Sequence, residues 1–269
     1  MFRPNTSKAI LAMFVIFVAN LFSSASSVSS AQSKVEKLLN KLDQNYYYPQ
    51  NKGLKRISLR FEWQQESTQS KKILTIKKPD FFFKGELKDG VFVKKIKITG
   101  NSKKVTNKEV NKETFWDIRF LNNYLDSFIP KTLREKFLLF KGKIVSKKRK
   151  EIVVLFKKRD IEENFLDYKL FIDTGNWRIS KIVFRQSQEP KKVEGKFFYA
   201  QKNGKWVVAE TVSVFKINNQ EYIEKTKYKY KAFGSFWFAY NVDQTVMQEG
   251  SSVLTYRFNL KDYKLNSQY

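Results

Sequence analysis

The sequence predicts a mainly β fold with short helices (α+β), in which one strongly curved antiparallel sheet wraps around helical cover. Apolar and polar residues alternate through most of the 269-residue chain, which is the pattern of half-buried strands. Asp-Gly and Asn-Gly pairs stand between such runs and are typical of tight hairpins. Two regions have helical spacing instead. A meander of roughly ten or eleven strands tends to curl or close, so we expect it to surround the helices.

The first 31 residues are predicted to be a secretory signal peptide rather than part of the fold. Arg3 and Lys8 form a short basic region, residues 9–22 are almost entirely apolar, and small residues follow. The apolar run is shorter than the roughly 20 residues that cross a bilayer comfortably. We therefore expect cleavage before Gln32, a single domain over residues 32–269 and a periplasmic location. An uncleaved N-terminal anchor is the alternative.

Composition excludes several classes of site. The chain has no cysteine, so it forms no disulfides, and its mature N-terminus lacks the residue that would carry a lipid. It also has no histidine, which removes the commonest general base, the imidazole metal ligands and every Ser-His or Cys-His nucleophile pair. The core must therefore supply the stability of the fold.

The chain is strongly basic. Its formal net charge is +26, and +24 remains once Arg3 and Lys8 leave with the signal peptide. Such a charge attracts polyanions or anionic membrane surfaces. Many of the lysines alternate with apolar residues along the strands, however, and a solvated outer face explains most of them.

Two regions are predicted to be helical. After a capping box at residues 33–36, apolar residues recur at helical spacing, which predicts an amphipathic helix ending near Asn45. Residues 106–142 contain two more capping boxes and predict one or two short helices divided at Pro130. Their aromatic stripe consists of Phe120, Leu121, Tyr124, Leu125 and Phe128. Packing against the sheet is the first interpretation of this stripe, and a mobile lid is the alternative.

Alternation predicts the strands. Residues 168–185 form the clearest hairpin, with a turn that contains Asp173, Gly175 and Asn176, residue types that tolerate positive φ. A polar loop is expected at residues 64–70, after the first strand. The apolar faces are formed by Ile57, Leu59, Phe61 and Trp63 in the first strand, by Tyr222, Tyr228 and Tyr230 in a later one, and by Leu254, Tyr256, Phe258 and Leu260 in the last.

The order of these elements resembles the LolA/LolB-like superfamily of periplasmic outer-membrane lipoprotein-sorting carriers. The resemblance covers a signal peptide, the amphipathic helix with Val35, Leu38, Leu39 and Leu42, a meander, and the hairpin at residues 168–185. It implies an incomplete β-barrel, covered by an N-terminal helix and a central helical segment, that encloses an apolar cavity for acyl chains. This chain is more basic than we expect for the family, and its insert at residues 106–142 is unusually aromatic.

The motifs of catalysis are missing from the sequence. It contains no glycine-rich phosphate loop, no metal-spaced cluster and no Gly-x-Ser-x-Gly elbow. Glu162 and Glu163 fall in a polar turn, and Glu66, Asp80 and Asp173 lack the spacing of a calcium loop. We therefore expect no enzyme activity, no catalytic residue, no metal site and no cofactor.

The sequence favours a periplasmic carrier or chaperone that binds the acyl chains of a lipid or lipoprotein. Its apolar cavity would be lined by Phe61, Trp63, Phe120, Tyr124, Tyr228, Tyr230, Tyr256 and Phe258. Basic residues near the rim would meet an anionic head group or membrane surface. We expect a monomer and no nucleic-acid partner. Two alternatives remain open: the aromatic residues simply fill the barrel, or the chain is a basic envelope scaffold that binds polyanions without a ligand cavity.

Overall fold

The computed structural model describes residues 30–266 apart from 70–71, 78–79, 89–90, 100–127 and 159–166. Helix α1 is Ser30–Asp43, a short 3-10 helix follows at Pro49–Lys52, and helix α2 is Leu133–Lys136. The strands are β1 Arg56–Gln69, β2 Lys72–Lys77, β3 Asp80–Lys88, β4 Val91–Thr99, β5 Phe140–Lys147, β6 Glu151–Lys158, β7 Asp167–Asp173, β8 Arg178–Arg185, β9 Lys192–Lys202, β10 Lys205–Ile217, β11 Gln220–Phe233, β12 Phe236–Gln248 and β13 Ser251–Leu265.

The thirteen strands of the described residues all belong to one antiparallel sheet, two or three more strands than the sequence predicted. Strands β5 to β13 form the predicted up-and-down meander, and β13 then pairs with β1, so the last strand joins the first. On its other side β1 pairs with β3 in its first half and with β2 in its second half. Strands β4 and β5 follow each other in the sequence but form opposite edges of the described sheet. The sheet is therefore open at that break.

The sheet is curved, as its packing shows. The Phe128 ring lies 5.1 Å from Phe61 on β1, and nine residues later Phe137 stacks at 4.1 Å on Phe156 of β6. Eight strand spacings separate β1 from β6. A flat sheet would place them roughly 38 Å apart at about 4.8 Å per strand. Nine fully extended residues span at most about 32 Å, and α2 shortens this segment further, so the sheet must bend toward it.

Two groups of buried side chains lie on the same face of the sheet, which we call the inner face. The helix-covered half comprises side chains of α1, α2, β6, β7 and β8, and the predicted stripe of α1 is fully buried there. The aromatic half comprises side chains of β1, β3 and β9 to β13, with Leu54, Phe128 and Ile129 from outside the sheet. Phe184 packs against both groups, so the two are continuous.

Turn chemistry accounts for the hairpins. Asn203 and Gly204 have φ values of 48° and 70°, as a two-residue turn with positive φ at both positions requires, and they join β9 to β10 as predicted. In the β7–β8 turn the residue with positive φ is Trp177, at 49°, rather than Gly175 or Asn176. The Asp173 carboxylate shapes that turn instead, because it accepts hydrogen bonds from Gly175 N at 2.9 Å and Asn176 Nδ2 at 2.8 Å.

Several boundaries differ from the sequence predictions. Strand β1 continues through Gln69, where a polar loop was expected, because neighbours on both sides supply backbone hydrogen bonds that do not need apolar side chains. Ser58 alternates with the inward residues Ile57 and Leu59 and should therefore face solvent, but it is fully buried. The capping box at Thr132 and Glu135 is confirmed. The predicted signal peptide up to residue 29 and the helices predicted between residues 106 and 127 lie outside the described residues. None of the described helices is long and apolar enough to span a bilayer.

Candidate ligand-binding face

Aromatic side chains of β1, β3 and β13 form a continuous surface on the inner face. Strand alternation directs Trp63 inward, where its ring lies 6.1 Å from Phe81, 5.6 Å from Phe258 and 6.2 Å from Tyr256. Each of these four side chains is at most 2% exposed. The tilted arrangement of these rings is one that aromatic groups prefer.

The structure brings together six of the eight side chains predicted to line a cavity. Phe61, Trp63, Tyr256 and Phe258 are buried in the aromatic half. Tyr228 and Tyr230 are half-buried and pack against it, and the Tyr230 hydroxyl donates to Val208 O at 3.0 Å. Phe120 and Tyr124 lie outside the described residues. The role of all eight as a ligand lining stays a prediction.

Five polar side chains lie buried beside this aromatic surface. Thr211 on β10, Thr226 on β11 and Gln244 on β12 are direct register partners, so they form a row across three strands. Ser213 and Glu224 are register partners in the adjacent inward position. Every member is at most 4% exposed, and we call this group the polar patch. The register partner of Gln244 on β13 is Tyr256, so the polar patch adjoins the aromatic surface.

Glu224 is the ionisable member of the polar patch. Burial raises the pKa of its carboxyl to about 8, and the neighbouring polar side chains of Gln244 and Thr226 oppose this only weakly. Its Oε1 atom has no hydrogen-bond partner among the described residues. Leaving a buried polar atom unsatisfied costs about 1–3 kcal/mol, so stability of the fold alone does not explain this side chain. At neutral pH the carboxyl is largely protonated and is a hydrogen-bond donor.

The sequence analysis missed the polar patch, although the alternation that places Tyr222, Tyr228 and Tyr230 inward also places Glu224 and Thr226 inward. The signal was a Glu and a Thr at the two even positions between Tyr222 and Tyr228. Gln244 and Ser213 follow the same rule on β12 and β10. Their alignment into one patch depends on strand register, which the sequence alone does not specify.

The segment after α1 attaches the helix to one end of the sheet. Tyr46 bridges to Trp206, and its hydroxyl accepts a hydrogen bond from Ile179 N at 2.8 Å and lies 3.1 Å from the Tyr199 hydroxyl. Tyr199 in turn donates to Ile179 O at 2.7 Å. Burial raises the pKa of Tyr46 to about 12, so this network remains protonated. A cleft of about 460 Å³ lies beside the segment, away from the aromatic surface.

Asp43 connects the two helices. Its carboxylate accepts hydrogen bonds from Leu133 N at 2.7 Å and Arg134 N at 3.2 Å, so it caps the first turn of α2, and it also accepts one from the Tyr48 hydroxyl at 2.6 Å. Burial raises the pKa of Asp43 despite these hydrogen bonds. The helix-covered half is thereby fixed by specific polar contacts at its edge.

The outer face is basic and partly ion-paired. Lys225 pairs with Glu210 at 3.0 Å, and Lys261 pairs with Glu62 at 2.7 Å. The β5–β6 hairpin is different, because its cations are exposed and form no ion pair within the described part of the chain. These cations, which we call the basic edge, are Lys141, Lys143, Lys147, Lys148, Arg149, Lys150, Lys157 and Lys158.

Within the described ranges, no group of three or more acidic side chains lies close enough to hold a metal ion. Glu66, Asp80 and Asp173, which lack the spacing of a calcium loop in the sequence, contact different partners. Glu66 pairs with Arg257 at 3.1 Å, and Asp80 pairs with Arg60 at 3.4 Å. Glu162 and Glu163 lie outside the described residues.

No protein-family model matches the chain, and the search of curated proteins finds no match. Solved structures do match. A LolA superfamily protein from Nitrosomonas europaea is 8% identical, with 87% of this chain and 94% of that chain covered and a TM-score of 0.28. An outer membrane lipoprotein-sorting protein domain from Vibrio parahaemolyticus is 9% identical, with 87% and 92% covered and a TM-score of 0.31.

A DUF1329 family protein from Desulfovibrio piger is 7% identical, with 90% of this chain and 95% of that chain covered and a TM-score of 0.33. Because all three TM-scores lie below 0.5, the proposals below rest on this chain's own residues. The superfamily that the sequence pattern resembles is also the one named by the first of these similar structures.

Proposed function

We propose that this protein is a carrier or chaperone that binds the acyl chain of a lipid or lipoprotein on the inner face of its aromatic half. The observation that carries the proposal is the composition of that half. Among the described residues, eleven of its 22 buried side chains are aromatic, and three of the 22 come from outside the sheet. Binding sites for acyl chains need a large apolar surface with few polar groups, and this face has that character.

Phe128 is the described side chain that an entering acyl chain would displace. It packs against Phe61 at 5.1 Å, at the edge of the surface that Trp63 and Phe258 form. Ligand would exchange with the protein's own cover, so the affinity depends on how firmly that cover is held. Lys94 donates a hydrogen bond to Ile129 O at 3.1 Å, and Gln50 donates one to Pro130 O at 2.8 Å. These two hydrogen bonds hold the backbone directly after Phe128 in place.

A matched pair of variants tests this proposal. We expect Phe128→Ala to bind palmitate severalfold more tightly than the wild type, because a competing side chain is removed. Phe137→Ala should leave the affinity unchanged, since Phe137 stacks on Phe156 in the helix-covered half. Calorimetric titration at low and moderate salt gives both affinities. Absence of binding to the wild type and to Phe128→Ala would overturn the proposal, and so would equal effects of the two substitutions.

Cargo carried from the native host gives a second, independent test. A carrier purified without detergent should release lipid into an organic extract, where mass spectrometry detects it. Its binding should also survive moderate salt, because apolar contact is not screened. A preparation without lipid that also fails to bind acyl probes would contradict the proposal.

The basic edge supports a second candidate function, a contact with polyanions or an anionic membrane surface. Its eight cations are exposed and lie on the β5–β6 hairpin, at one edge of the sheet. Lysines on an edge strand also prevent edge-to-edge pairing, which is the structural explanation of the same residues. Replacing Lys148, Arg149 and Lys150 by Ser should weaken binding to anionic vesicles without changing palmitate affinity. Unchanged vesicle binding would remove this candidate.

We also propose that residues 1–31 are removed and that the mature protein acts in the periplasm, beginning at Gln32. The Gln32 side chain accepts a hydrogen bond from Gly142 N at 3.0 Å, so the expected new terminus packs on the fold. N-terminal sequencing of the native protein tests this. Intact Met1 in the membrane fraction would overturn both the cleavage and the periplasmic location.

A further inference from the structure

The polar patch calls for a ligand group other than an acyl chain. A hydrocarbon needs only the aromatic surface, whereas the patch places five hydrogen-bonding side chains on the buried inner face of β10, β11 and β12. Glu224 is fully buried, and its Oε1 atom has no hydrogen-bond partner within the described part of the chain. A buried polar atom of this kind indicates a missing partner.

Charge decides which kind of partner fits. The patch contains no lysine or arginine, so a buried carboxylate or phosphate would lack a counter-charge there. A cationic group is disfavoured by the net charge of +26 and by a carboxyl that burial keeps protonated at neutral pH, with a pKa of about 8. An uncharged hydrogen-bonding group remains, and a hydrogen-bond acceptor is one that every member of the patch can serve. The protonated Glu224 carboxyl, the Gln244 amide and the threonine hydroxyls are all donors to such a group.

We propose that the polar patch binds the uncharged carbonyl group of an acyl ester or amide, while the attached acyl chain lies along Tyr256, Trp63 and Phe258. This inference rests on the proposed function and specifies the chemistry of its ligand. The geometry is continuous, because Gln244 is the register partner of Tyr256 and the Tyr256 ring lies 6.2 Å from Trp63. One ligand can therefore contact both the patch and the aromatic surface.

Chain-matched probes test the inference. The four probes are 1-palmitoylglycerol, N-palmitoylethanolamine, palmitate and hexadecylamine, titrated below their aggregation concentrations at neutral pH. We expect the wild type to bind the ester or the amide about tenfold more tightly than palmitate or hexadecylamine, since one buried hydrogen bond accounts for a difference of that size. The ester and amide arms separate a glycerolipid source from an N-acylated one, and tight binding of either supports the inference.

Variants at one position assign the effect to the patch. Glu224→Leu should lose the preference for the carbonyl probes and bind palmitate within about twofold of the wild type, because the donor is gone but the apolar surface remains. Glu224→Gln keeps a donor and should keep most of the preference. Glu221→Leu is the control, since Glu221 lies exposed on the same strand. Thermal unfolding would check that Glu224→Leu is folded. We expect a folded variant, because the substitution replaces a buried polar group by an apolar one.

Each outcome has one meaning. If the wild type binds no probe, the proposed function fails. If it binds palmitate but Glu224→Leu retains the full carbonyl preference, acyl-chain binding stands and the inference about the polar patch is overturned. A wild-type preference for hexadecylamine, lost in Glu224→Leu, would also overturn the inference, because it would show an ionised carboxylate that binds cations.

Discussion

The two halves of the inner face are built differently. In the helix-covered half only three of 14 buried side chains are aromatic, and six of the 14 come from α1, α2 and the residue after α2. In the aromatic half eleven of the 22 described side chains are aromatic, and three of these 22 come from outside the sheet. Aliphatic side chains between a helix and a sheet are the usual material of a stable core. The helix-covered half therefore has the composition of an ordinary helix-on-sheet core, whereas the described aromatic half consists mainly of strand side chains that pack on one another.

Two buried acids, Asp167 and Glu224, also differ in the partners that surround them. Asp167 on β7 is 2% exposed, and Arg185 on β8 donates to both of its carboxylate oxygens, with Nε at 3.0 and 3.1 Å. Glu224 in the aromatic half is buried to a similar degree, but the residues that hydrogen bond to it are uncharged. A buried acid with a guanidinium partner is a structural feature, whereas one without a cation needs another explanation. Glu224 thus lacks the counter-charge that Asp167 has, and the proposal for the polar patch rests on this difference.

The largest expected effect is in the helix-covered half. Leu42 is fully buried in α1, so Leu42→Asp removes apolar contacts and places a carboxylate among apolar side chains. We expect a loss of about 5 kcal/mol or more in the free energy of unfolding, measured by urea denaturation. Lys37→Asp on the exposed side of α1 should change it by less than about 0.5 kcal/mol. Similar losses for the two variants would contradict the packing of α1 described above.

The next largest effect is a pH dependence due to Glu224. Its pKa is about 8 in the folded protein and near 4.5 when exposed, so the folded state binds the extra proton. This stabilisation is complete below about pH 4.5 and is lost as the pH rises toward 8. We expect the wild type to lose about 3 kcal/mol relative to Glu224→Gln between about pH 5 and pH 8, by urea denaturation at each pH.

Other acids with shifted pKa values do not produce this pH dependence of stability. Salt bridges to Lys181 and Lys192 lower the pKa of Glu194 to about 2. The stabilisation that its carboxylate supplies is therefore lost only as the pH falls below about 4.5, outside the interval from pH 5 to pH 8. Burial raises the pKa of Asp43, which adds a slope of the same sign to both proteins and cancels in the comparison. Parallel pH profiles for the wild type and Glu224→Gln would show that Glu224 is not buried as described.

A smaller effect tests the cap between the helices. Asp43→Ala removes the acceptor for two backbone N–H groups of α2, which should lower the free energy of unfolding by about 1–2 kcal/mol. Asp43→Asn retains an acceptor and should lose less. Neither variant should alter palmitate affinity, because the cap belongs to the helix-covered half. A change in affinity comparable to that of Phe128→Ala would show that the two halves are not independent.

Local patterns in the sequence predicted much of this fold. Alternation located β13 and its inward side chains, and the Asn-Gly turn and the capping box at Thr132 were confirmed. The pairing of β1 with β13 was not predicted, because hydrogen bonds between distant strands leave no local signal. Six of the eight predicted lining residues contact one cluster. The polar patch was missed because its members belong to three strands that only register brings together.

The most direct test asks where an acyl chain lies. We would prepare two variants, each with a single tryptophan and phenylalanine at the other four positions. One retains Trp63 in the aromatic half, and the other retains Trp177, which packs against the helix-covered half. Palmitoylglycerol brominated along its chain quenches tryptophan fluorescence at close range. We predict saturable quenching of Trp63 and little quenching of Trp177, whereas equal quenching of both, or quenching of Trp177 alone, would contradict acyl-chain binding on the aromatic half.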